Sequence, residues 1–236
     1  MSKIALVSGA NKGIGLETAR QLARDHGFTV LVGARDEERG HEAVGELKNG
    51  GLDAHFLLID PTDAASVQAA KAQVEADYGK LDVLINNAGT GSKEDGPLVD
   101  LDAMRAIYEI NVFGLHAVTL AFWPLLEKSE AARLVNVSSA LGSLTLHQSG
   151  DFGDHNALAY DSSKAAVNMM TLGYAQKWQN TPHRANTIHP GSVVTDLNPG
   201  GDIDVEEGAK TSVELATIGA GGPNGTFTHL GETLPW

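Results

Sequence analysis

Tyr160 and Lys164 stand four residues apart in a stretch with helical spacing, so their side chains share one face of a helix. A free phenol titrates near pH ~10, too high for proton exchange near neutrality, and an ammonium within about 4–6 Å favours the phenolate and lowers that value. Such a pair can exchange a proton at neutral pH, although an isolated Tyr-x-x-x-Lys is more often an ordinary helix surface. Ser139 closes an apolar run and can donate a hydrogen bond to an oxygen on which negative charge develops; Ser-Ser after a strand is also a common turn cap. Upstream, Ser8-Gly9-Ala10-Asn11-Lys12-Gly13-Ile14-Gly15 lies between the apolar run Ile4-Ala5-Leu6-Val7 and a helical pattern. A strand, a glycine turn and a helix start bring backbone close to a ligand. They also aim unpaired N–H groups and the positive dipole end at an anion, with phosphate the expected guest. The spacing is G-x-x-x-G-x-G, not the G-x-G-x-x-G of the widest dinucleotide-binding fingerprint.

The elements that must position these residues are legible in the hydrophobic pattern. Leu16, Ala19, Leu22 and Ala23 recur at helical spacing and Gly27 stops that helix; 28–33 then reads as a buried strand. Further strands are expected at 55–59, 83–86, 134–137 and 184–188, with an edge strand at 226–228. Helices are expected at 36–48, 63–78, 101–128, 160–178 and 205–218. Continuous apolar strands separated by helices mark a parallel sheet covered on both faces, hence an α/β, Rossmann-type, doubly wound fold. Ligands of such sheets lie at the carboxyl ends of the strands. Arg35, Asn87-Ala88-Gly89, Ser138-Ser139 and Pro190-Gly191 each follow a strand end.

Composition narrows the function classes. At 236 residues with no Pro- or Ser-rich linker, one domain is expected over 1–236. Seventeen basic residues against 30 acidic ones leave a net charge of −13, which repels nucleic acid and anionic membrane. The absence of cysteine excludes disulfides, thiolate catalysis and cysteine-ligated zinc. Met1-Ser2-Lys3 leads straight into the first strand, and no apolar run is read as a signal segment or membrane span, so a cytoplasmic protein is expected.

Taken together and in order, these motifs resemble the short-chain dehydrogenase/reductase family, and its carbonyl reductase branch in particular. Ser8-Gly9-x-x-x-Gly13-x-Gly15 resembles the family's cofactor turn, Asn86-Asn87-Ala88-Gly89 its motif after strand four, and Ser139 with Tyr160-x-x-x-Lys164 its catalytic residues. Asn186-x-x-x-Pro190-Gly191-x-Val193-x-Thr195 resembles the segment that clasps the nicotinamide. The resemblance implies a cofactor half over about 1–130 and a catalytic half over about 131–236. It selects Ser139 over Ser138, because the family serine stands three before a glycine and Gly142 fits. Asn111 is implied to anchor, through its carbonyl region, a water that links Lys164 to solvent. The implied cofactor residues are Gly9, Asn11, Lys12, Gly13, Ile14, Gly15, Arg35, Asp60, Asn87, Ala88, Gly89, Tyr160, Lys164, Pro190, Gly191, Val193 and Thr195.

NADPH/NADP+ is expected over NAD, since the position that carries a ribose-binding carboxylate in NAD enzymes is Ala34, with Lys12 and Arg35 available for a 2′-phosphate. Asp36, Glu37 and Glu38 read as a first helical turn stabilised by the dipole. Asp60 is assigned to the adenine edge and, alternatively or as well, to a helix N-cap. The expected reaction is hydride transfer from NADPH to an aldehyde or ketone. The alternatives are the oxidative direction on an alcohol, or a non-catalytic NADPH-binding regulator. Between Ser139 and Tyr160 the chain carries a short extra loop, 146–155; its His147, Asp151, Asp154 and His155 fit no metal-ligand spacing, and no metal is assigned. His183 and His189 read as structural. Segments 90–97, 146–156 and 198–204 are expected to line the substrate entrance, and both monomer and homodimer remain open.

Overall fold

Every residue of β1 (Ile4–Ser8) is buried, and its side chains alternate between two covers: Ala5 and Val7 join one apolar cluster, Ile4 and Leu6 the other. The computed structural model describes residues 2–92 and 95–236. The same alternation runs through β2 (Thr29–Ala34), β4 (Val83–Asn86) and β5 (Arg133–Val137), which is why these strands read as unbroken apolar runs. On one face lie α1 (Gly13–His26), α2 (Glu37–Asn49) and α8 (Val205–Thr217), contributing Leu22, Leu47 and Val213. The other face is covered by α3 (Ala64–Tyr78), α5 (Leu115–Leu126) and the end of α7 (Leu158–Lys177), with Val74, Phe122 and Trp178 among the contacts.

With β3 (Ala54–Leu58), β6 (Arg184–Ile188), β7 (Phe227–His229) and β8 (Glu232–Thr233), the sheet has eight strands in the order β3-β2-β1-β4-β5-β6-β7-β8. All pairs are parallel except β7 with β8. The order reverses between β1 and β4, so the connections that follow these two strands leave in opposite directions and open a crevice at their carboxyl ends.

Four expectations need correction. The edge strand is followed by β8, which the sequence did not suggest. Its two-residue turn, Leu230-Gly231, has φ of 46° and 81°, the conformation that Asn-Gly usually signals. The extra segment after Ser139 begins as a helix, α6 (Leu144–Ser149), because the Ser143 hydroxyl caps Leu146 N–H and Gly150 ends it with a φ of 82°. The long helix after β4 is divided: α4 (Leu101–Tyr108) passes through a π-helical turn, Glu109–Gly114, into α5, and Asn111 lies in that turn. Finally, Leu101–Leu126 is long and apolar enough to cross a membrane by length and composition; half of its most apolar window is buried in this fold, as befits a core helix.

Across the middle of the sheet runs a buried polar chain. The Asn86 amide donates to Thr119 Oγ1 and Asn136 Oδ1, and the Asn136 amide donates to Thr171 Oγ1, each at 2.8 Å. It ties α5 to α7 through β4 and β5.

Candidate active site

At the crevice the turns after β1 and β4 are locked together. Ser8 Oγ accepts from the Asn87 and Ala88 backbone N–H groups at 3.1 Å, and the Asn87 amide donates to the Ser8 and Gly9 carbonyl oxygens at 3.0 and 3.1 Å. So close an approach demands glycine. A Cβ on Gly9, whose φ is +64°, would stand 2.9 Å from Ala88 Cα, and one on Gly15 would stand 2.6 Å from the Gly9 carbonyl oxygen.

Over these turns opens a cleft of about 740 Å³. Of the residues expected at a cofactor, it takes in Gly9, Asn11, Lys12, Gly13, Ile14, Gly15, Arg35, Asp60, Asn87, Ala88, Gly89 and Thr195. Tyr160, Lys164, Pro190, Gly191 and Val193 are not in its lining. Val193 is buried, bridged to Ile203 and packed on Gly208, while Gly191 faces Ile203 and His229; these residues fold the segment that presents Thr195. Asp36, Arg39 and Asp196 line the cleft unforeseen. The Asp36 carboxylate is occupied as the N-cap of α2, accepting from Arg39 N–H at 3.1 Å. Asp60 is no helix cap: its carboxylate accepts from the Thr62 N–H and hydroxyl, and Asp63 caps α3 instead. With a backbone cradle too tight for any Cβ, Lys12 and Arg35 beside it, and Ala34 where a ribose-binding carboxylate would stand, the donor set fits a dinucleotide bearing a further phosphate.

On the far side of Gly89 the second group of residues converges. Lys164, 5% exposed, sends its ammonium to the Val137 carbonyl at 2.9 Å and sits 5.5 Å from the Tyr160 ring centroid. A Cβ on Gly89 would lie 3.4 Å from both Lys164 Nζ and Asn111 Oδ1, so this glycine stands between them. Ser139 is the side chain that favours the ionised Tyr160 phenol, whereas Ser138 Oγ is spent on the Lys164 carbonyl at 3.2 Å. The glycine three residues after Ser139 has a packing cause: a Cβ at Gly142 would approach the Lys164 carbonyl carbon to 2.7 Å. Asn111 is 1% exposed. Its amide donates to the Thr90 carbonyl at 2.9 Å and to Ser163 Oγ at 3.0 Å, and its oxygen accepts from Thr90 N–H at 2.8 Å. Its side chain thus fixes the loop after β4.

The electrostatics differ from the expectation that Lys164 lowers the phenol. Burial pushes Tyr160 up to about 12, with the hydrogen bond from Ser139 acting the other way and the Asp161 charge adding to the rise. Burial also pushes Lys164 down to about 8. Because the ammonium points at Val137, its attraction does not offset the loss of solvent around the phenol.

Three acidic residues near the site went unnoticed in the sequence. Asp95 accepts from Ala159 and Tyr160 N–H at 3.0 and 2.8 Å. Asp161 faces the extra segment: His155 Nε2 lies 3.3 Å from its carboxylate, while His147 Nε2, 3.6 Å away, is hydrogen-bonded to the Leu141 carbonyl oxygen at 2.8 Å. Asp196 pairs with Lys12. The aspartates carry no local motif; Lys93 and Glu94 of the expected entrance segment lie outside the described residues.

Fold and cleft define a dehydrogenase of the doubly wound type. Residues 3–202 match the short chain dehydrogenase family, and the chain belongs to it. Short-chain dehydrogenase/reductase 1 of Saponaria officinalis is 34% identical over 294 residues, covering 99% of this chain and 96% of that protein. Carbonyl reductase 1 (NADPH) of Rattus norvegicus is 32% identical over 273 residues, covering 99% and 98%. The crystal structure of NADPH-bound carbonyl reductase from chicken fatty liver superposes with a TM-score of 0.86 at 27% identity, covering all of this chain and 99% of that one. The protein is thus an oxidoreductase near the carbonyl reductase branch.

Proposed function

We propose that this chain is an NADPH-dependent carbonyl reductase that converts an aldehyde or ketone to an alcohol. The observation that carries the reading is the convergence of Ser139, Tyr160 and Lys164 behind Gly89, a glycine that itself lines the cleft holding Lys12 and Arg35. When bound, the reduced nicotinamide cofactor supplies a hydride to the carbonyl carbon. Gly9, Gly13, Gly15 and the Asn87–Gly89 turn would hold its phosphates and body, Lys12 and Arg35 would hold the 2′-phosphate, Asp60 would border the adenine, and Thr195 would close the nicotinamide end. Ser139 donates to the substrate oxygen as charge builds there, and Tyr160 gives that oxygen its proton. Lys164 orients the phenol and carries positive charge beside it. The Asn111 main chain links Lys164 to solvent for proton resupply.

The substrate end is apolar: Leu197 packs toward Gly91 beside the Tyr160 ring, and Leu144 and Val194 are exposed on flanking segments. An uncharged, lipophilic carbonyl compound suits it. Such a reductase draws on an intracellular cofactor pool, so we place it in the cytoplasm. NADPH oxidation screened against aldehydes, diketones, quinones and cyclic ketones tests the reading. Turnover that Tyr160→Phe reduces by about 10²–10⁴-fold, with NADPH binding retained, supports it. NADPH binding without turnover of any compound in either direction would support a regulatory binder instead.

A further inference from the structure

Helix α7 carries Tyr160 and Lys164, yet it lacks a cap of its own. Its N-cap residue is Ala157, which offers no side-chain acceptor, and the first N–H groups of a helix have no partner within it. Ala159 is fully buried, so its N–H must find an acceptor inside the protein. Both needs are met from elsewhere in the chain: Asp95 spans the Ala159 and Tyr160 N–H groups with its two oxygens, at 3.0 and 2.8 Å, from 64 and 65 positions upstream.

Resting on the reading of Tyr160 as the proton donor, we propose that Asp95 is a positioning residue for Tyr160, capping the catalytic helix from the loop that follows β4. That loop meets the helix bundle at two further points. Thr90 is clamped on both backbone groups by Asn111, which also holds Ser163 of α7, and a Cβ on Gly91 would lie 3.5 Å from Tyr160 Cδ2. The phenol ring is therefore set between a clamp beneath it and a cap at the backbone nitrogen of its own residue. Without the cap, the first turn of α7 has two unsatisfied donors and can regain them only by moving toward water, which shifts the Tyr160 Cα relative to Ser139. Misplacement of a reacting group by about 1 Å costs on the order of 10²-fold in rate.

The test compares wild type, Tyr160→Phe, Asp95→Ala, Asp95→Asn and the Asp95→Ala/Tyr160→Phe double variant on the best carbonyl substrate of the wild type. Asp95→Ala should lose at least about tenfold in kcat while its NADPH Kd stays within about threefold. Asp95→Asn keeps an acceptor oxygen and should recover at least a third of the wild-type kcat. In the Tyr160→Phe background the Asp95→Ala change should cost no more than about twofold, since a residue acting through the phenol has nothing left to act on. A general structural contribution would instead lower the residual rate again by the same tenfold, and that result overturns the proposal. Asp95→Ala with more than half the wild-type kcat, beside an inactive Tyr160→Phe, overturns it while leaving the Tyr160 reading intact. An active Tyr160→Phe removes that reading and the proposal with it. If Asp95→Ala does not fold, the shorter acceptor of Asp95→Ser replaces it under the same thresholds.

Discussion

The Lys12 ammonium and the Asp196 carboxylate meet at 2.5 Å across the cleft, joining the turn after β1 to the segment after β6 over 184 positions of sequence. Both side chains are more than half exposed, at 57% and 80%, so salt screens the pair readily. Its place matters more than its strength, because the cation expected to read a 2′-phosphate is already engaged by an anion of the protein.

Asp196 should therefore compete with the cofactor's phosphate for Lys12. Asp196→Asn is expected to tighten NADPH binding by about two- to fivefold and to leave NADH unchanged, with the gain shrinking at high salt. Fluorescence titration of both cofactors at two ionic strengths checks this, and an equal gain for NADH would show that the pair does not act on the phosphate.

Arg35 lines the same cleft, between Ala34 and Asp36. A hydrogen bond to a charged group contributes roughly 1.5–3 kcal/mol before solvent screening, so Lys12 and Arg35 together should give on the order of 10–10³-fold preference for NADPH in kcat/KM. Arg35→Asp should abolish most of it and admit NADH. Equal kcat/KM for the two cofactors in the unmodified protein would move attention to Asp36.

Lys164 and Tyr160 should separate in pH. Burial holds the ammonium near 8 and the phenol near 12, so as pH rises the lysine loses its charge while the tyrosine keeps its proton. The alkaline limb of kcat/KM, which reports the free enzyme, is expected near pH 8. Lys164→Arg should carry that limb upward, since guanidinium stays charged across the range. A limb at pH 10 or above in the wild type would assign it to the phenol.

His189 lies under the turn before Pro190, its ring centroid 5.0 Å from that of His229. Burial, with the neighbouring His229 charge, pushes it down to about 4. Acid thus protonates the unfolded chain first, and the stability this residue contributes is complete above pH ~6.5 and lost as pH falls toward 4. The loss is about 3 kcal/mol at most. Urea unfolding at pH 7.5 and 4.5 should show a His189→Asn variant losing less stability on acidification than wild type; parallel curves would exclude the role.

The strands were legible because both faces of the sheet are covered, so Val30, Leu31 and Val32 are apolar in succession with no polar face to confuse the pattern. The cofactor turn was legible because Gly9 and Gly15 answer steric demands that no other residue meets. By contrast, Asp95, Asp161 and Asp196 owe their importance to partners on other loops, and an aspartate in an exposed loop looks the same whether or not a helix end lies opposite. Lys164 was placed on the right helix face, but its direction is set by the Val137 carbonyl, a backbone atom that leaves no mark in sequence. The β7–β8 hairpin escaped because Leu230 takes a positive φ normally left to asparagine or glycine.

The amide chain from Thr119 through Asn86 and Asn136 to Thr171 also acts during assembly of the sheet. Parallel strands made of Val, Leu and Ile slide past one another with little penalty, since one aliphatic contact resembles the next. Asn86 and Asn136 lie side by side in the β4–β5 ladder, and a slip by even one residue would turn an amide into the hydrocarbon interior without a partner. The two asparagines therefore work as a keyed joint: they penalise a shifted register, and in doing so they set Val137, two residues before Ser139, level with Asn87 just past β4 before any ligand arrives.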